Sequence, residues 1–220
     1  MSRVRIDLFS SLDGYTAAPV PGSPNPMGED WGPLTAAYAA TRTFRQRVLG
    51  DTSGEGTTGL DDALAAASFE GVGAQIMGAA MFGLHANPDD PAWKGWWGDE
   101  PPFGYPVYVL THAADQRPPI EMPNGMPNGT VFHFRSGSLE AVLDEATAAA
   151  GDLDVRVGGG IRTARAFLQA GLVDDLHVAI APVVLGRGNP VWEGLRGLEQ
   201  THAVRSQVSE SGTVHVTFAR

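Results

Sequence analysis

Apolar and polar positions alternate from the start of the chain: Val4, Ile6 and Leu8 interleave with Arg3, Arg5 and Asp7, the period of a strand with one buried face. The run breaks at Leu12-Asp13-Gly14, which closes the first predicted strand. Residues 16–32 are rich in Pro and Gly and predict a long loop, placed where substrate often enters an α/β fold. From Pro33 to about Leu49 the pattern turns helical. Leu34, Ala37, Tyr38, Phe44 and Val48 recur at helical spacing, with Pro33 suited to a first turn and Gly50 to the end. The polar segment 51–59 separates this helix from a shorter one over Leu60 to Phe69, whose alanines favour the helical state.

Strand, turn and helix then alternate. Gln75-Ile76-Met77-Gly78 predicts a short buried strand, Ala79 to Leu84 a helical turn, and Val107 to Thr111 another strand. Between them, residues 85–105 hold four prolines (Pro88, Pro91, Pro101, Pro102) and three tryptophans (Trp93, Trp96, Trp97), which predicts a long ordered loop. Its aromatic surface suits a substrate cover, a subunit interface or a local mini-core equally well. Further strands are predicted at Val131 to Phe134, Val155 to Val157, His177 to Ala181 and Val214 to Phe218, with helices at Ser138 to Ala150 and Thr163 to Ala170. The alternation predicts an α/β fold whose sheet is mostly parallel, covered on both faces, with an antiparallel C-terminal edge. No repeat and no clean linker interrupts the 220 residues, so one domain over 1–220 is expected.

Composition narrows the chemistry. Hydrophobic residues at 43% and charged residues at 18% describe a chain that buries a core. A net charge of −10 with no basic run argues against nucleic acid as a partner. It does not argue against an anionic cofactor, which needs only a few backbone amides and arginines aimed at one place. The absence of cysteine removes disulfides, thiolate nucleophiles and cysteine-held metals, and fits a cytoplasmic protein. No stretch reads as a signal peptide or approaches the roughly 20 apolar residues of a membrane span, so no membrane partner is expected. The six histidines (His85, His112, His133, His177, His202, His215) show no metal-ligand spacing, so most are expected at the surface or in structural hydrogen bonds. Ser10 and Ser11 lack the glycines of a nucleophile elbow.

The strongest local signal is Val155-Arg156-Val157-Gly158-Gly159-Gly160-Ile161-Arg162-Thr163, a buried strand that breaks into three glycines and enters a helix. Without Cβ atoms the backbone can approach a pyrophosphate closely, and free N–H groups at the helix N-terminus point at it with a favourable dipole. The dinucleotide spacing Gly-x-Gly-x-x-Gly is not met, because Thr163 stands where the last glycine belongs; a tight turn with no ligand fits the same residues. Gly54-Glu55-Gly56-Thr57-Thr58-Gly59 does match that string, yet it follows a helix rather than a strand and so predicts a flexible loop.

Three segments in order resemble the dihydrofolate reductase superfamily, and within it the branch of the C-terminal reductase domain of the bifunctional riboflavin-biosynthesis enzymes. They are Ser10-Ser11-Leu12-Asp13-Gly14-Tyr15 after the first strand, Ile76-Met77-Gly78 at the place of the family's Met-Gly-Arg turn, and Val157-Gly158-Gly159-Gly160 followed by Ala181-Pro182-Val183-Val184-Leu185-Gly186-Arg187-Gly188. The resemblance implies a three-layer α/β/α sandwich that carries NADPH across the ends of the central strands. Gly158, Gly159, Gly160, Ile161 and Arg162 would cradle the pyrophosphate, with Thr163 completing the turn; Gly78, Ala79, Ala80 and Met81 would hold the other side. Thr111 and His112 would stand beside the adenosine ribose and its 2′-phosphate, a task that a hydroxyl and an imidazole suit. It also implies a homodimer. Ala79-Ala80 departs from the family, because it removes the arginine that favours a phosphate-bearing cofactor, so NADH is a possible cofactor too.

The implied reaction is hydride transfer to a small, cyclic or heteroaromatic substrate, with dihydrofolate itself not expected. The companion proton would come from water or from a carboxylic acid whose pKa burial has raised. Candidates are Asp13, Glu29 and Asp30, with Asp7 a fourth; Asp13-Gly14 is also a favourable turn pair, and Glu29 and Asp30 also suit a helix start. Two other readings stay open: a binding protein that kept the fold without its cofactor, and an enzyme of non-redox chemistry.

Overall fold

The computed structural model describes residues 2–18, 27–87, 90, 92–122 and 129–220. Residues 19–26 of the predicted entry loop, and Pro88 and Pro91 of the tryptophan loop, lie outside the described residues. In chain order the first elements are β1 (Val4–Ser10), β2 (Tyr15–Thr16), α1 (Trp31–Ala39), α2 (Arg42–Arg47), α3 (Leu60–Phe69), β3 (Val72–Gly78), α4 (Ala79–Phe82) and β4 (Pro106–Leu110). After them come β5 (Ile120–Met122), β6 (Thr130–Arg135), α5 (Leu139–Ala150), β7 (Asp154–Val157), α6 (Ile161–Gln169), β8 (Asp175–Ile180), β9 (Asn189–Pro190), β10 (Ala203–Val208) and β11 (Val214–Ala219). These form two compact units: one of the residues up to Ile6 with Gly71–Val173, the other of Asp7–Glu70 with Asp174–Arg220. Strand β1 contributes to both.

In the first unit the strand order is β1-β7-β3-β4-β6-β5, parallel throughout except that β5 runs antiparallel to β6. Helix α5 covers one face with Val142, Ala146 and Ala150, and the Tyr108 hydroxyl donates to its Glu145 carbonyl at 3.4 Å. Val107 and Val109 flank Tyr108 in β4 and so point to the other face, where they pack with Met77, Phe82, Phe132 and Phe134. Helices therefore lie on both sides of the sheet, giving the expected α/β fold with its mostly parallel strands. The tryptophan loop extends the second layer. Trp93 Nε1 donates to the Phe82 carbonyl at 2.9 Å, Trp96 packs edge-on against Trp93, and Trp97 stacks on Phe132 and meets Phe103 edge-on. Of the three roles open to this loop, the geometry shows the local mini-core.

In the second unit the order is β1-β8-β11-β10, with β11 antiparallel to both its neighbours; this is the antiparallel C-terminal edge. Strands β2 and β9 form a separate antiparallel pair. The single helix expected from Pro33 to Leu49 is two helices, and the break is at Thr41. Its backbone is extended (φ −67°, ψ 149°), its hydroxyl donates to the Tyr38 carbonyl at 2.7 Å and accepts from Phe44 N–H at 3.1 Å. A threonine that satisfies both helix ends with one hydroxyl makes a kinked pair more stable than a continuous helix. The segment read as a flexible glycine loop is built against this break: Thr57 pairs with Thr41, and a Cβ on Gly56 would lie 2.6 Å from the Arg42 backbone. Among the described residues no helix is long and apolar enough to cross a membrane.

Phe132 is fully buried, with Phe82, Trp97 and Phe103 rings around it. Phe132→Ala is expected to cost about 3–5 kcal/mol in urea unfolding, the range for a large aromatic cavity, whereas Val208→Ala at an exposed site should stay within about 0.5 kcal/mol.

Candidate functional site

The ladder between β3 and β7 runs on past its last strand residues into glycine. Gly158 N–H donates to the Ile76 carbonyl at 2.8 Å, and Gly78 N–H donates to the Gly159 carbonyl at 3.1 Å. The two glycine turns, far apart in sequence, are thereby fastened to each other. Both are crowded: a Cβ on Gly78 would sit 2.5 Å from Thr163 Oγ1, and one on Gly158 would sit 2.5 Å from Gln75 Nε2, so a side chain at either requires its neighbour to shift. Gly159 has φ +107°, a conformation that L side chains rarely adopt, and the Gly159–Gly160 peptide is cis.

Gly160 differs from the other two. Its φ is −57°, and among the described residues nothing lies within 4 Å of where its Cβ would be. It is the N-cap of the nine-residue α6, with no side chain capping the helix, and the first helical bond runs from Ala164 N–H to the Gly160 carbonyl at 3.1 Å. The N–H groups of Ile161, Arg162 and Thr163 precede that bond, so the end of α6 offers donors and a positive dipole. Open space before an uncapped helix N-terminus fits a pyrophosphate, which needs close backbone approach there.

Gln75, a residue that sequence reasoning left as part of a strand, supports the turn. It is buried, its amide lies against Gly158, and its Oε1 accepts from the Tyr105 hydroxyl at 3.3 Å. Burial pushes the Tyr105 phenol up, against the pull of Arg156, so it stays protonated and keeps donating. A polar residue inside an apolar strand was the available signal.

Of the other predicted cofactor residues, Met81 lies beside the turn, its Sδ 4.0 Å from the Cβ position of Gly159. Ala79 packs half-buried on the aromatic core, Ala80 is exposed, and Arg162 is exposed at the second position of α6. Thr111 follows Leu110, which is the register partner of Gly78, so Thr111 and His112 stand at the same end of the sheet as the glycine turns. Thr111 Oγ1 accepts from Ala113 N–H at 3.3 Å, and His112 is exposed.

The three candidate acids gather in the second unit around residues 185–187. Asp13 accepts from the Ser11 hydroxyl at 2.6 Å, Gly186 N–H at 2.7 Å and Leu185 N–H at 3.1 Å. These donors, the Ser11 hydroxyl first, hold its carboxyl down at about 2. Glu29 and Asp30 both clasp Arg187: Asp30 accepts from Nε and Nη2, and Glu29 from Nη2, each at 2.9 Å. Their bonds, those to Asp30 foremost, hold the guanidinium charged. As placed, all three carboxylates accept hydrogen bonds that fasten loops, and at Asp13 these bonds oppose the raised pKa that a proton donor at neutral pH requires. Arg187 lay within a segment carrying the family resemblance, but its distance of over 150 residues from its partners hid the cluster.

Comparison with known proteins agrees with this architecture. The family described as "RibD C-terminal domain" matches residues 2–215. A putative riboflavin biosynthesis protein from Shewanella sp. PV-4 superposes with a TM-score of 0.55 at 19% identity, covering 99% of this chain and 98% of that one. The diaminohydroxyphosphoribosylaminopyrimidine deaminase/5-amino-6-(5-phosphoribosylamino)uracil reductase of Thermotoga maritima superposes with a TM-score of 0.50 at 14% identity, covering 99% of this chain and 56% of that one. At these identities the likeness is one of fold. An uncharacterized protein, YyaP, of Bacillus subtilis (strain 168) is 31% identical over 65 residues, a match spanning 30% of this chain and 35% of that relative.

Two outcomes test the local geometry. Gly158→Ala should destabilise the protein by about 1–3 kcal/mol through overpacking, and combining it with Gln75→Ala should cost less than the sum of the single changes, as read in a double-mutant cycle. Asp13 has a folded value of about 2 against an unfolded value of about 3.9, so its contribution is present above pH 4 and lost as pH falls toward 2. Asp13→Asn should flatten acid unfolding in that window.

Proposed function

The chain belongs to the RibD C-terminal domain family, and from that premise we propose that it is an NAD(P)H-dependent reductase of a small cyclic or heteroaromatic molecule. The observation that carries the reading is Gly160. Neither crowding nor a positive φ demands glycine there, whereas a ligand lying against the uncapped start of α6 would. In this reading the backbone of Gly158 to Arg162 binds the pyrophosphate, Gly78 to Met81 flank it, and Thr111 and His112 face the adenosine ribose. Thr163 shapes the floor, since its hydroxyl lies against Gly78.

The bound dinucleotide would supply a hydride from its nicotinamide ring. The chain's own task is positioning: fixing the two glycine turns together so that one rigid edge receives the cofactor. The proton that accompanies the hydride is assigned to water, because Asp13, Glu29 and Asp30 are engaged as anions. Arg187 and its partners instead tie the segment before α1 to the segment before β9.

A second reading has one observation behind it. Ala79 and Ala80 place no charged donor at the turn after β3, which suits a protein that keeps the fold and takes a different ligand, either for binding alone or for non-redox chemistry.

Titration with NADPH and NADH, followed by tryptophan fluorescence and thermal shift, separates the two. Micromolar NADPH binding with a rise in melting temperature is expected for the reductase, since any ligand of the folded state stabilises it. No response to either nucleotide would leave the second reading. Ala79→Arg should tighten NADPH about tenfold or more and NADH less, because a charge-assisted bond to a phosphate contributes about 1.5–3 kcal/mol.

A further inference from the structure

Outside the nucleotide site, the second unit contains a chain of four titratable side chains joined end to end. Asp7 Oδ1 lies 3.1 Å from His177 Nδ1, His177 Nε2 lies 3.0 Å from His215 Nδ1, and His215 Nε2 lies 2.8 Å from Asp61 Oδ1. The chain crosses β1, β8 and β11 and ends on the first turn of α3. His215 is 6% exposed at its side chain, and Asp7, His177 and Asp61 are 15–18% exposed. The imidazole planes are within 19° of each other. No step proposed for the nucleotide site uses any of the four.

Counting protons gives the chain its character. Three contacts need three protons, one each. Ionised carboxylates only accept, so all three must come from the two imidazoles, and two neutral imidazoles carry two. With two, one contact sets lone pair against lone pair; with four, the central contact sets N–H against N–H. Only three protons complete the chain. We propose that the Asp7–His177–His215–Asp61 chain is a one-proton store: the paired imidazoles share a single positive charge, carried on His177, with His215 neutral as the Nε2–H tautomer. The assignment within the pair follows from the surroundings. His177 is the better-solvated ring, its side chain 18% exposed against 6% for His215, and a charge costs less there; with the charge on it, His177 would donate from both nitrogens, to Asp7 and to His215, and His215 would accept at Nδ1. Burial, with the charge of His177 beside it, pushes His215 down, and the bond to Asp61 opposes this.

The other groups facing the pair do not replace these partners. Direct antiparallel partners share a side of the sheet, so Thr217, opposite His177, and Gln207, opposite His215, lie on the same side, with Arg205 opposite Thr217 and Asp175 two residues before His177. Gln207 and Arg205 are exposed. On α3, Asp62 accepts from Thr43 N–H at 2.8 Å, and Glu210 lies against Gly59 at the helix start. The nearby charges are mostly carboxylates, which favour one proton on the pair.

The consequence is a stability maximum near neutral pH. Unfolded histidines titrate near 6.5. Above that the folded pair holds one more proton than the unfolded chain, so stability falls as pH rises until the store empties. Below it the unfolded chain takes up two extra protons and the folded pair one, so stability falls as pH drops. Each one-proton difference changes the folding constant up to tenfold per pH unit.

The test is a nitrogen-15 NMR titration of the imidazole rings in the full chain, assigned through the backbone, from pH 5 to 9. At pH 7 the expected spectrum shows His177 protonated at both nitrogens and His215 protonated at Nε2 only. Two neutral rings or two charged rings at pH 7 would overturn the proposal. Asp7→Asn should lower the pH at which the pair releases its proton by more than Asp61→Asn does, because Asp7 faces the charged ring; equal shifts, or none, would overturn the assignment of the charge to His177. Nucleotide binding plays no part in either readout, so the result is independent of the reductase reading.

Discussion

Parallel strands end with backbone donors and acceptors that need partners, and the first unit depends on how β3 and β7 meet that need. They bond each other past the end of the sheet, Gly158 to Ile76 and Gly78 to Gly159, where the chain turns into α4 and α6. An ordinary side chain at either glycine would strike Gln75 or Thr163. Side-chain packing, by Thr163 against Gly78 and by Gln75 against Gly158, therefore crowds two of the glycines, and the ladder beneath them leads into α6. The buried amide of Gln75, held by Tyr105, fills the space under the turn that a shorter residue would leave empty.

The second unit depends on charge placement instead. An acidic chain must keep its carboxylates either solvated or satisfied, and here Asp13 takes two loop N–H groups and a hydroxyl, while Glu29 and Asp30 share one guanidinium. At Asp13 these contacts hold the carboxyl down at about 2, away from acid catalysis. Carboxylates read as reactive because of their place beside the first strand and the first helix turn out to fasten the loops there. Two histidines fill the corresponding role deeper in the unit, where their four ring nitrogens link Asp7 to Asp61 through a half-buried layer.

What was legible in the sequence follows from how local its cause is. The alternation of Val4, Ile6 and Leu8 is imposed by one buried face and marks β1 directly; the step from Val157 through three glycines to Ile161 marks β7, its turn and α6. The break at Thr41 was hidden because helical spacing continues on both sides of it, and only the hydroxyl's two bonds reveal the stop. Strand β10 was hidden for the opposite reason: all six of its residues are exposed, so nothing alternates, and its pairing with β11 is the cause of its conformation. The Arg187 cluster and the histidine pair join residues 157 and 38 positions apart, which no spacing rule reaches. Gly54 to Gly59 is the instructive converse, a literal nucleotide string whose Gly56 serves the close approach of Arg42.

The same distinction between backbone and side chain bears on the nucleotide reading. On the proposed reading, backbone N–H groups at the start of α6 would recognise a pyrophosphate by position and dipole, and NADH and NADPH present the same pyrophosphate. Discrimination between them would come from side chains at the ribose, the place proposed for Thr111, already an acceptor for Ala113 N–H, and the exposed His112. With alanine at 79 and 80, no fixed positive charge at the turn after β3 adds to them. Preference for the phosphorylated cofactor would then rest on a hydroxyl and an imidazole, with no arginine at that turn to strengthen it. In this reading affinity is built into the backbone of the glycine turns and selectivity is left to side chains at the ribose and at positions 79 and 80, so the two properties can vary separately.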